Sequence, residues 1–330
     1  MMKKPNDSKM AEDVDLASSE IRKEEFRVAH PQMTRRSMEK IQAAFGRIME
    51  EKQFATIDEA NAFLGQFVGG RKTPDVLPRT LLEKAQDMMY AAWDEPSKKK
   101  RIILARRALE ISGDCADAYV LLAEEAAGSI SEAKDFFDLG VQAGTRALGP
   151  QYFQENRGHF WGILETRPYM RARAGLAECL WILGRREEAI AHFQDMIRLN
   201  PNDNQGLRFS LLNHLIEEGR DRDAKELIDC YPNDPTAAWL YSKALLKFKR
   251  EGSNTKTENR LKKAIDANPF VPLFLLGMRK MPHRLPDMIG MGDENEAVEY
   301  VAGSISIWMK TPGALEWLDR VDSVYGGFVD

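Results

Sequence analysis

The residues best suited to chemistry in this 330-residue chain lie close together in one short segment. The segment reads GHFWGILETRPYMRAR and places a titratable ring, large aromatic side chains and opposite charges side by side. Arginine offers a planar fork of donors that matches a carboxylate, and aromatic side chains exclude water around such a pair. The segment therefore predicts a site for a carboxylate or a peptide end. The candidate residues are His159, Trp161, Glu165, Arg167, Tyr169 and Arg171.

Two other interpretations of this segment remain open. It can act as a structural plug, in which its apolar side chains fill a gap in the fold and Glu165 pairs with a neighbouring arginine. It can also support general acid–base chemistry by His159 and Glu165, although no nucleophile or electrophile lies beside them in the sequence.

The rest of the chain contains none of the usual catalytic or metal-binding motifs. There is no glycine-rich phosphate loop, no His-Glu-x-x-His, no Cys-x-x-Cys and no Gly-x-Ser-x-Gly. The five histidines are scattered without the spacing of metal ligands. We therefore expect no metal, no cofactor and no enzymatic activity. An enzyme or small-molecule sensor centred on His159 to Arg171 is the alternative.

The elements that must position these residues are clearest in residues 175–201, GLAECLWILGRREEAIAHFQDMIRLNP. Apolar residues recur there at three- and four-residue steps, which places them on one side of a helix. Gly184 suits a turn after the first helix, and Pro201 stops the second. The pattern predicts two antiparallel helices, with Gly219 and Gly252 at corresponding turns further along the chain.

This pattern resembles the tetratricopeptide repeat, a helix-turn-helix unit of about 34 residues. The residues that carry the resemblance are Leu176, Ala177, Leu180, Gly184, Ala189, Phe193 and Pro201. The resemblance implies an all-α fold, a tetratricopeptide-like α-solenoid of about five helix-turn-helix units with capping helices at both ends.

Further patterns divide the chain. Residues 1–33 form a charged tail that we expect to be disordered, and residues 34–70 form an N-terminal helical hairpin. The repeat array covers residues 79–271 with an insertion at 150–169, and residues 272–330 form a C-terminal helical cap. The tail and hairpin together are also a candidate docking element for a membrane surface or a nucleic acid.

In such an array, the first helices of successive units line one concave surface. Aromatic residues and arginine dominate binding hot spots, so an exposed aromatic stripe there predicts a ligand. We expect Trp181→Ala or Arg171→Ala to weaken partner binding with little loss of stability. The predicted surface consists of Tyr90, Trp93, Glu124, Arg171, Glu178, Trp181, Phe209, Asn213, Trp239, Lys249 and Arg250.

The C-terminal region carries a second resemblance. The strings NPFVPLFLLGMRKMP, GDENEAVEYVAG and TPGALEWL resemble the suppressor of tumorigenicity seven family and its uncharacterised bacterial relatives. The eukaryotic members resemble membrane proteins, whereas this chain has no apolar run long enough to span a bilayer.

Composition narrows the class of partner. The net charge is −4, which argues against nucleic acid. Cys115, Cys179 and Cys230 are far apart, as is typical of reduced thiols in a cytoplasmic protein. The sequence therefore predicts a cytoplasmic, non-enzymatic scaffold that binds a protein or peptide on its concave face. It leaves open the partner, the oligomeric state and whether the insertion and the N-terminal helices fill that face.

Overall fold

The computed structural model describes residues 32–52, 54, 56–65, 77–286 and 288–325. Within these residues the regular secondary structure is helical, without a strand. Most of the predicted disordered tail, and the end of the predicted hairpin at residues 66–70, lie outside them.

The described helices are α1 Gln32–Lys52, α2 Ile57–Gly65, α3 Leu81–Asp94, α4 Lys98–Ile111, α5 Ala116–Glu125, α6 Ile130–Glu155, α7 Arg167–Ile182, α8 Arg186–Leu199, α9 Leu207–Glu217, α10 Asp221–Cys230, α11 Ala237–Glu251, α12 Thr255–Ala267, α13 Phe270–Leu275, α14 Glu294–Lys310 and α15 Ala314–Tyr325. Two 3-10 turns, Phe160–Gly162 and Leu164–Thr166, precede α7.

The chain divides into two compact units between Gln205 and Gly206, inside the predicted array. In the first unit, α3 pairs with α4, α5 with α6 and α7 with α8. In the second unit, α9 pairs with α10 and α11 with α12. Helices α13 to α15 follow and pack on one another and on these pairs. These five helical hairpins confirm the predicted all-α, tetratricopeptide-like α-solenoid.

The turns inside the hairpins form as predicted. Gly184 has a φ of 79° and Gly219 has a φ of 68°, a conformation that glycine adopts without steric strain. After Gly184, the Arg185 N–H donates to the Leu180 carbonyl at 2.9 Å; after Gly219, the Arg220 N–H donates to the Leu215 carbonyl at 2.8 Å. These bonds satisfy carbonyl groups that a helix end leaves open. Gly252 likewise has a positive φ, 65°.

Close helix packing in the first unit depends on small residues. A Cβ atom added to Gly175 of α7 would lie 2.2 Å from the ring of Phe137 on α6. Gly140 and Gly144 of α6 face Ala172 and Tyr169 of α7 in the same way, at 3.0 and 2.8 Å. The two helices therefore approach each other through positions that carry no side chain.

The insertion differs from the predicted one. Residues 150–155 are helical and continue α6 beyond a break at Gly149, where φ is 73°. The 3-10 turns follow, and α7 begins at Arg167, before the predicted end of the insertion. The irregular segment is therefore shorter than residues 150–169, because Arg167 and Tyr169 belong to a repeat helix.

The C-terminal cap is built around Glu296, which is buried at the start of α14. One carboxylate oxygen accepts the Ala237 N–H at 2.9 Å, at the beginning of α11. The other accepts the Asn268 side-chain amide at 2.9 Å and the Gly292 N–H at 2.7 Å. The residues of the C-terminal resemblance thus join the cap to the preceding repeat.

Candidate functional site

The first unit contains a buried cluster of charged side chains centred on Arg171 of α7. Its Nε and Nη2 atoms donate to the two carboxylate oxygens of Asp117 at 2.8 and 2.6 Å. Its Nη1 atom donates to both oxygens of Glu39, each at 3.0 Å. Asp117 is 0% exposed, Glu39 4% and Arg171 8%. One guanidinium therefore holds carboxylates from α1 and α5 out of water.

Neighbouring side chains complete this cluster. Gln86 of α3 donates its amide to Asp117 Oδ2 at 2.8 Å, and the guanidinium of Arg171 lies 5.5 Å from the centre of a ring of Trp93. Tyr90, also on α3, is buried beside the same charges. Burial alone would lower the pKa of Arg171, but Asp117 and Glu39 outweigh it and raise that pKa. Burial, followed by the charge of Asp117, raises the pKa of Tyr90.

Arg167 extends the cluster toward the surface. It donates to Glu39 Oε1 at 3.1 Å and to Gln42 Oε1 at 3.3 Å. Its Nε atom donates to the carbonyl of Trp161 at 3.0 Å, and its guanidinium lies 5.8 Å from the centre of a Trp161 ring. The carbonyl and the ring of Trp161 thus help to hold Arg167 in place.

A second set of ion pairs lies further along α1. Arg47 donates to both carboxylate oxygens of Asp87 at 2.8 and 2.7 Å and lies 3.2 Å from Glu83. Helix α1 therefore presents an acidic residue to the arginines and a basic residue to the carboxylates of α3. Glu39 and Arg47 are eight positions apart, or about 12 Å along a helix.

The structure thus unites five of the predicted residues, Tyr90, Trp93, Trp161, Arg167 and Arg171. Sequence reasoning missed the two carboxylates that they surround, Glu39 and Asp117. A signal was present for Asp117, an acidic residue within the otherwise apolar string ADAYVLLA.

Other predicted residues of the segment lie apart from this cluster. His159 and Glu165 are exposed. Phe160 is buried against the rings of Phe153 and Tyr169, with centroid distances of 4.9 and 6.1 Å. This packing matches the interpretation of the segment as a plug, but the predicted pairing of Glu165 with an arginine is wrong, since Arg167 and Arg171 pair with Glu39 and Asp117. Among the described residues, no group of acidic, histidine or cysteine side chains is arranged to hold a metal ion.

Tyr169 belongs to a different polar cluster between α7 and α8. Its hydroxyl accepts from Arg173 Nη1 at 2.8 Å, and Arg173 Nε donates to His192 Nδ1 at 3.1 Å. Asp195 lies 2.5 Å from Arg173. Burial, followed by the positive charge of Arg173, lowers the pKa of His192.

The prediction of an exposed aromatic stripe is wrong for four residues. Tyr90, Trp93, Trp181 and Trp239 are all buried, Trp239 completely, and Tyr169 of the predicted insertion is buried as well. Helix α1 packs on α3, which carries the first two, and Arg186 lies over Trp181 with its guanidinium carbon 3.8 Å from the ring centre. These aromatic side chains hold the repeats together and cannot serve as an open contact surface.

The remaining predicted residues are distributed over both units. Glu124 and Glu178 are half-buried in the first unit. In the second, Phe209 and Asn213 are half-buried, Arg250 is exposed and Lys249 pairs with Asp221 at 2.7 Å. Arg208 contributes to the burial around Trp239. Its guanidinium carbon lies 4.2, 5.3 and 5.9 Å from the ring centres of Phe209, Tyr231 and Trp239. Its Nε atom also pairs with Asp234 at 2.8 Å.

The paired helices define a helical-repeat protein. A family model described as "ST7 protein" matches residues 79–325. The chain therefore belongs to the ST7 family, which confirms the resemblance of its C-terminal region.

Curated relatives support this assignment. Suppressor of tumorigenicity 7 protein-like from Gallus gallus is 30% identical over 266 residues, covering 72% of this chain and 46% of that protein. Suppressor of tumorigenicity 7 protein from Macaca fascicularis is 27% identical over 287 residues, covering 72% of this chain and 52% of that protein. The chain spans about half the length of the curated relatives it matches.

A solved structure with a similar arrangement is "Crystal structure of YrrB: a TPR protein with an unusual peptide-binding site". Its TM-score is 0.40 with 20% identity, and the match covers 62% of this chain and 91% of that chain.

Within the described residues of the present chain, no helix has the length and apolar character needed to cross a bilayer.

Proposed function

We propose that this chain is a non-enzymatic scaffold that binds a protein or peptide through its helical repeats. The observation that carries the proposal is the ion pair between Glu39 and Arg171, 132 positions apart. Through this ion pair, α1 packs on the repeats of the first unit as a bound helical segment would. The repeats therefore offer a surface to which a helix can dock.

The contacts of α1 specify the kind of segment that this surface accepts. Arg171 is already fixed by two hydrogen bonds to Asp117, so its third donor group is oriented before any segment arrives. A docking helix supplies one acidic side chain to Arg171 and Arg167. It supplies a basic side chain two turns later to Asp87 and Glu83. Preorganised charge of this kind favours specificity because a mismatched segment leaves buried charges uncompensated.

A peptide of residues 32–52 tests the proposal directly. In the full-length Glu39→Lys variant, lysine repels Arg171 and Arg167 and releases α1 from the repeats. We expect this variant to bind the labelled peptide in fluorescence anisotropy, and the unmodified chain to bind it more weakly, because its own α1 competes.

Glu51→Lys is the matched control, since Glu51 is exposed on the same helix and the charge change is identical. It should behave as the unmodified chain does. A peptide carrying Glu39→Lys should fail to bind. Failure of the intact peptide to bind a folded Glu39→Lys chain would refute the proposal.

The proposed compartment is the cytoplasm. Cys115, Cys179 and Cys230 are all free, and the first two are buried. Burial raises the pKa of Cys115 and of Cys179 to about 12, so both remain protonated thiols at neutral pH. Free thiols are typical of proteins in a reducing compartment. Mass spectrometry of the protein from its source cells after alkylation checks this, and a disulfide would contradict it.

A further inference from the structure

Helix α4 carries an unusual concentration of positive charge. Its sequence, KKKRIILARRALEI, contains six basic residues and one acidic residue in a chain whose net charge is −4. Five of the six basic side chains belong to exposed residues. Four of these five residues, Lys99, Lys100, Arg106 and Arg107, lie on one side of the helix and are termed the α4 cationic face, whereas Lys98 begins the helix on the side of Ala105.

Within the described part of the chain, the α4 cationic face is nearly free of ionic partners. Lys98, Lys99, Arg106 and Arg107 make no ion pair or side-chain hydrogen bond there. Lys100 lies 3.9 Å from Glu95 and its side chain is 69% exposed. The sixth basic residue of the helix, Arg101, differs because its Nε atom donates to Glu125 at 2.7 Å.

Folding does not account for the positions of these cations. The lysines occupy the first turn of α4, where positive charge opposes the helix dipole. The next helices follow the opposite pattern, with Asp117 in the first turn of α5 and Glu132 in that of α6. The lysines therefore reduce helix stability, and a role outside the fold explains them better.

An apolar side chain lies among the cations. Ile103 is 42% exposed, four positions after Lys99 and three or four positions before Arg106 and Arg107, so it shares their side of the helix. The opposite side of α4 packs on α3 and α5, with Ala105 and Ala108 fully buried. The outer side thus combines cations with an exposed apolar residue.

We propose that the α4 cationic face binds the surface of a bilayer that contains anionic lipids. The four cations lie at the lipid phosphate and carboxylate groups, and Ile103 lies between them at the interface. Long cationic side chains without fixed partners suit a diffuse negative surface, where each basic residue adds to the affinity.

Other polyanions fit this face less well. Single-stranded nucleic acid is bound with the help of aromatic stacking, and α4 has no aromatic residue. Acidic peptide motifs are recognised by clustered arginines that bind carboxylates in a bidentate way, whereas half of the cations on this face are lysines. The bilayer is therefore the occupant that the charge and shape favour.

Vesicle co-sedimentation of the full chain tests the proposal. We expect binding to phosphatidylcholine vesicles that contain phosphatidylserine, no binding to vesicles of phosphatidylcholine alone, and loss of binding at high salt. Lys99→Glu/Lys100→Glu and Arg106→Glu/Arg107→Glu should each weaken binding by about tenfold or more. The exposed positions leave folding intact, which circular dichroism checks.

Lys256→Glu/Lys263→Glu on α12 is the matched control, because both lysines are exposed and the charge change is the same. It should retain binding. An equal loss in this control would overturn the proposal, as would failure of the unmodified chain to bind the anionic vesicles. Binding of duplex DNA or polyglutamate under conditions where these vesicles are not bound would also overturn it.

Discussion

Arg171 and Asp117 lie 54 positions apart and share two parallel hydrogen bonds, Nε to Oδ1 at 2.8 Å and Nη2 to Oδ2 at 2.6 Å. The pair joins α7 to α5, and the remaining donor of Arg171 joins both helices to α1 through Glu39. Because all three groups are buried, each charge depends on its partners for the solvation that water would otherwise provide.

Arg171→Met tests this dependence. The substitution leaves Asp117 and Glu39 buried without their shared cation, so we expect the free energy of unfolding to fall by about 3 to 5 kcal/mol. Urea denaturation measures the change. This outcome reverses the expectation from the sequence that replacing Arg171 would barely affect stability.

Arg185→Met is the control for Arg171→Met. Arg185 pairs with Glu188 at 2.6 Å on the surface, and exposed pairs contribute little. The control should unfold at the same urea concentration as the unmodified chain. Equal stability losses in the two variants would contradict the importance of the buried pair.

His192 makes stability depend on pH. Its pKa is lowered by burial and then by Arg173, while Asp195, Glu188 and Asp138 act weakly in the opposite direction. The unfolded chain therefore binds the proton more readily, so stability is complete above the ordinary histidine pKa of about 6.5 and is lost as pH falls through the lowered value. Urea denaturation between neutral and mildly acidic pH should record this loss.

His192→Gln should reduce that pH dependence, because the neutral amide does not titrate. His159→Gln is the control, since His159 is exposed and should leave the dependence unchanged. Identical pH profiles for the unmodified chain and His192→Gln would contradict the role of His192.

Gly175→Ala tests the close approach of α6 and α7. The new Cβ atom would overlap the ring of Phe137, so we expect a loss of about 1 to 3 kcal/mol in the free energy of unfolding. Gly46→Ala is the opposite case, because Gly46 lies inside α1 with open space around it. That change should raise stability by about 0.5 to 1 kcal/mol. Thermal unfolding separates the two outcomes, and a stabilised Gly175→Ala chain would contradict the close packing.

Glu296→Gln tests the C-terminal cap. The carboxylate accepts hydrogen bonds from Ala237, Asn268 and Gly292, and an amide nitrogen in place of one oxygen cannot accept. We expect the free energy of unfolding of the second unit to fall by about 3 kcal/mol. Hydrogen exchange of α11 and α14 reports this locally.

Glu294→Gln provides the comparison for Glu296→Gln on the same helix. Glu294 is exposed and pairs with Arg279 at 2.9 Å on the surface. Loss of this ion pair should therefore leave the hydrogen-exchange protection of α11 and α14 unchanged. Equal protection in both variants would show that Glu296 does not hold the cap.

The sequence predicts the helices well because local rules govern them. Apolar spacing and Gly184, Gly219 and Gly252 identify the hairpins, and each glycine has the positive φ that a turn requires. The candidate site is predicted only in part. Arg167 and Arg171 are recognisable as carboxylate ligands, but the carboxylate of Glu39 is 132 positions away from Arg171 and no local pattern connects them.

The start of α7 is a second feature that the sequence pattern did not predict correctly. Residues 150–169 read as one insertion because Gly149-Pro150 interrupts the repeat pattern. In the fold, α6 continues past that break and α7 begins at Arg167, since aromatic packing of Phe160 on Phe153 and Tyr169 closes the gap. Tertiary packing of these rings, and not the local repeat pattern, decided the boundary.

The sequence by itself determined that this chain forms stacked helical hairpins and belongs with the family of its C-terminal motifs, because periodicity and turn residues act over a few positions. Only the tertiary structure decided which side chains are exposed. Four aromatic residues of the predicted stripe are buried, whereas five basic residues of α4 are exposed, because burial depends on which helices pack together and not on the composition of any one of them.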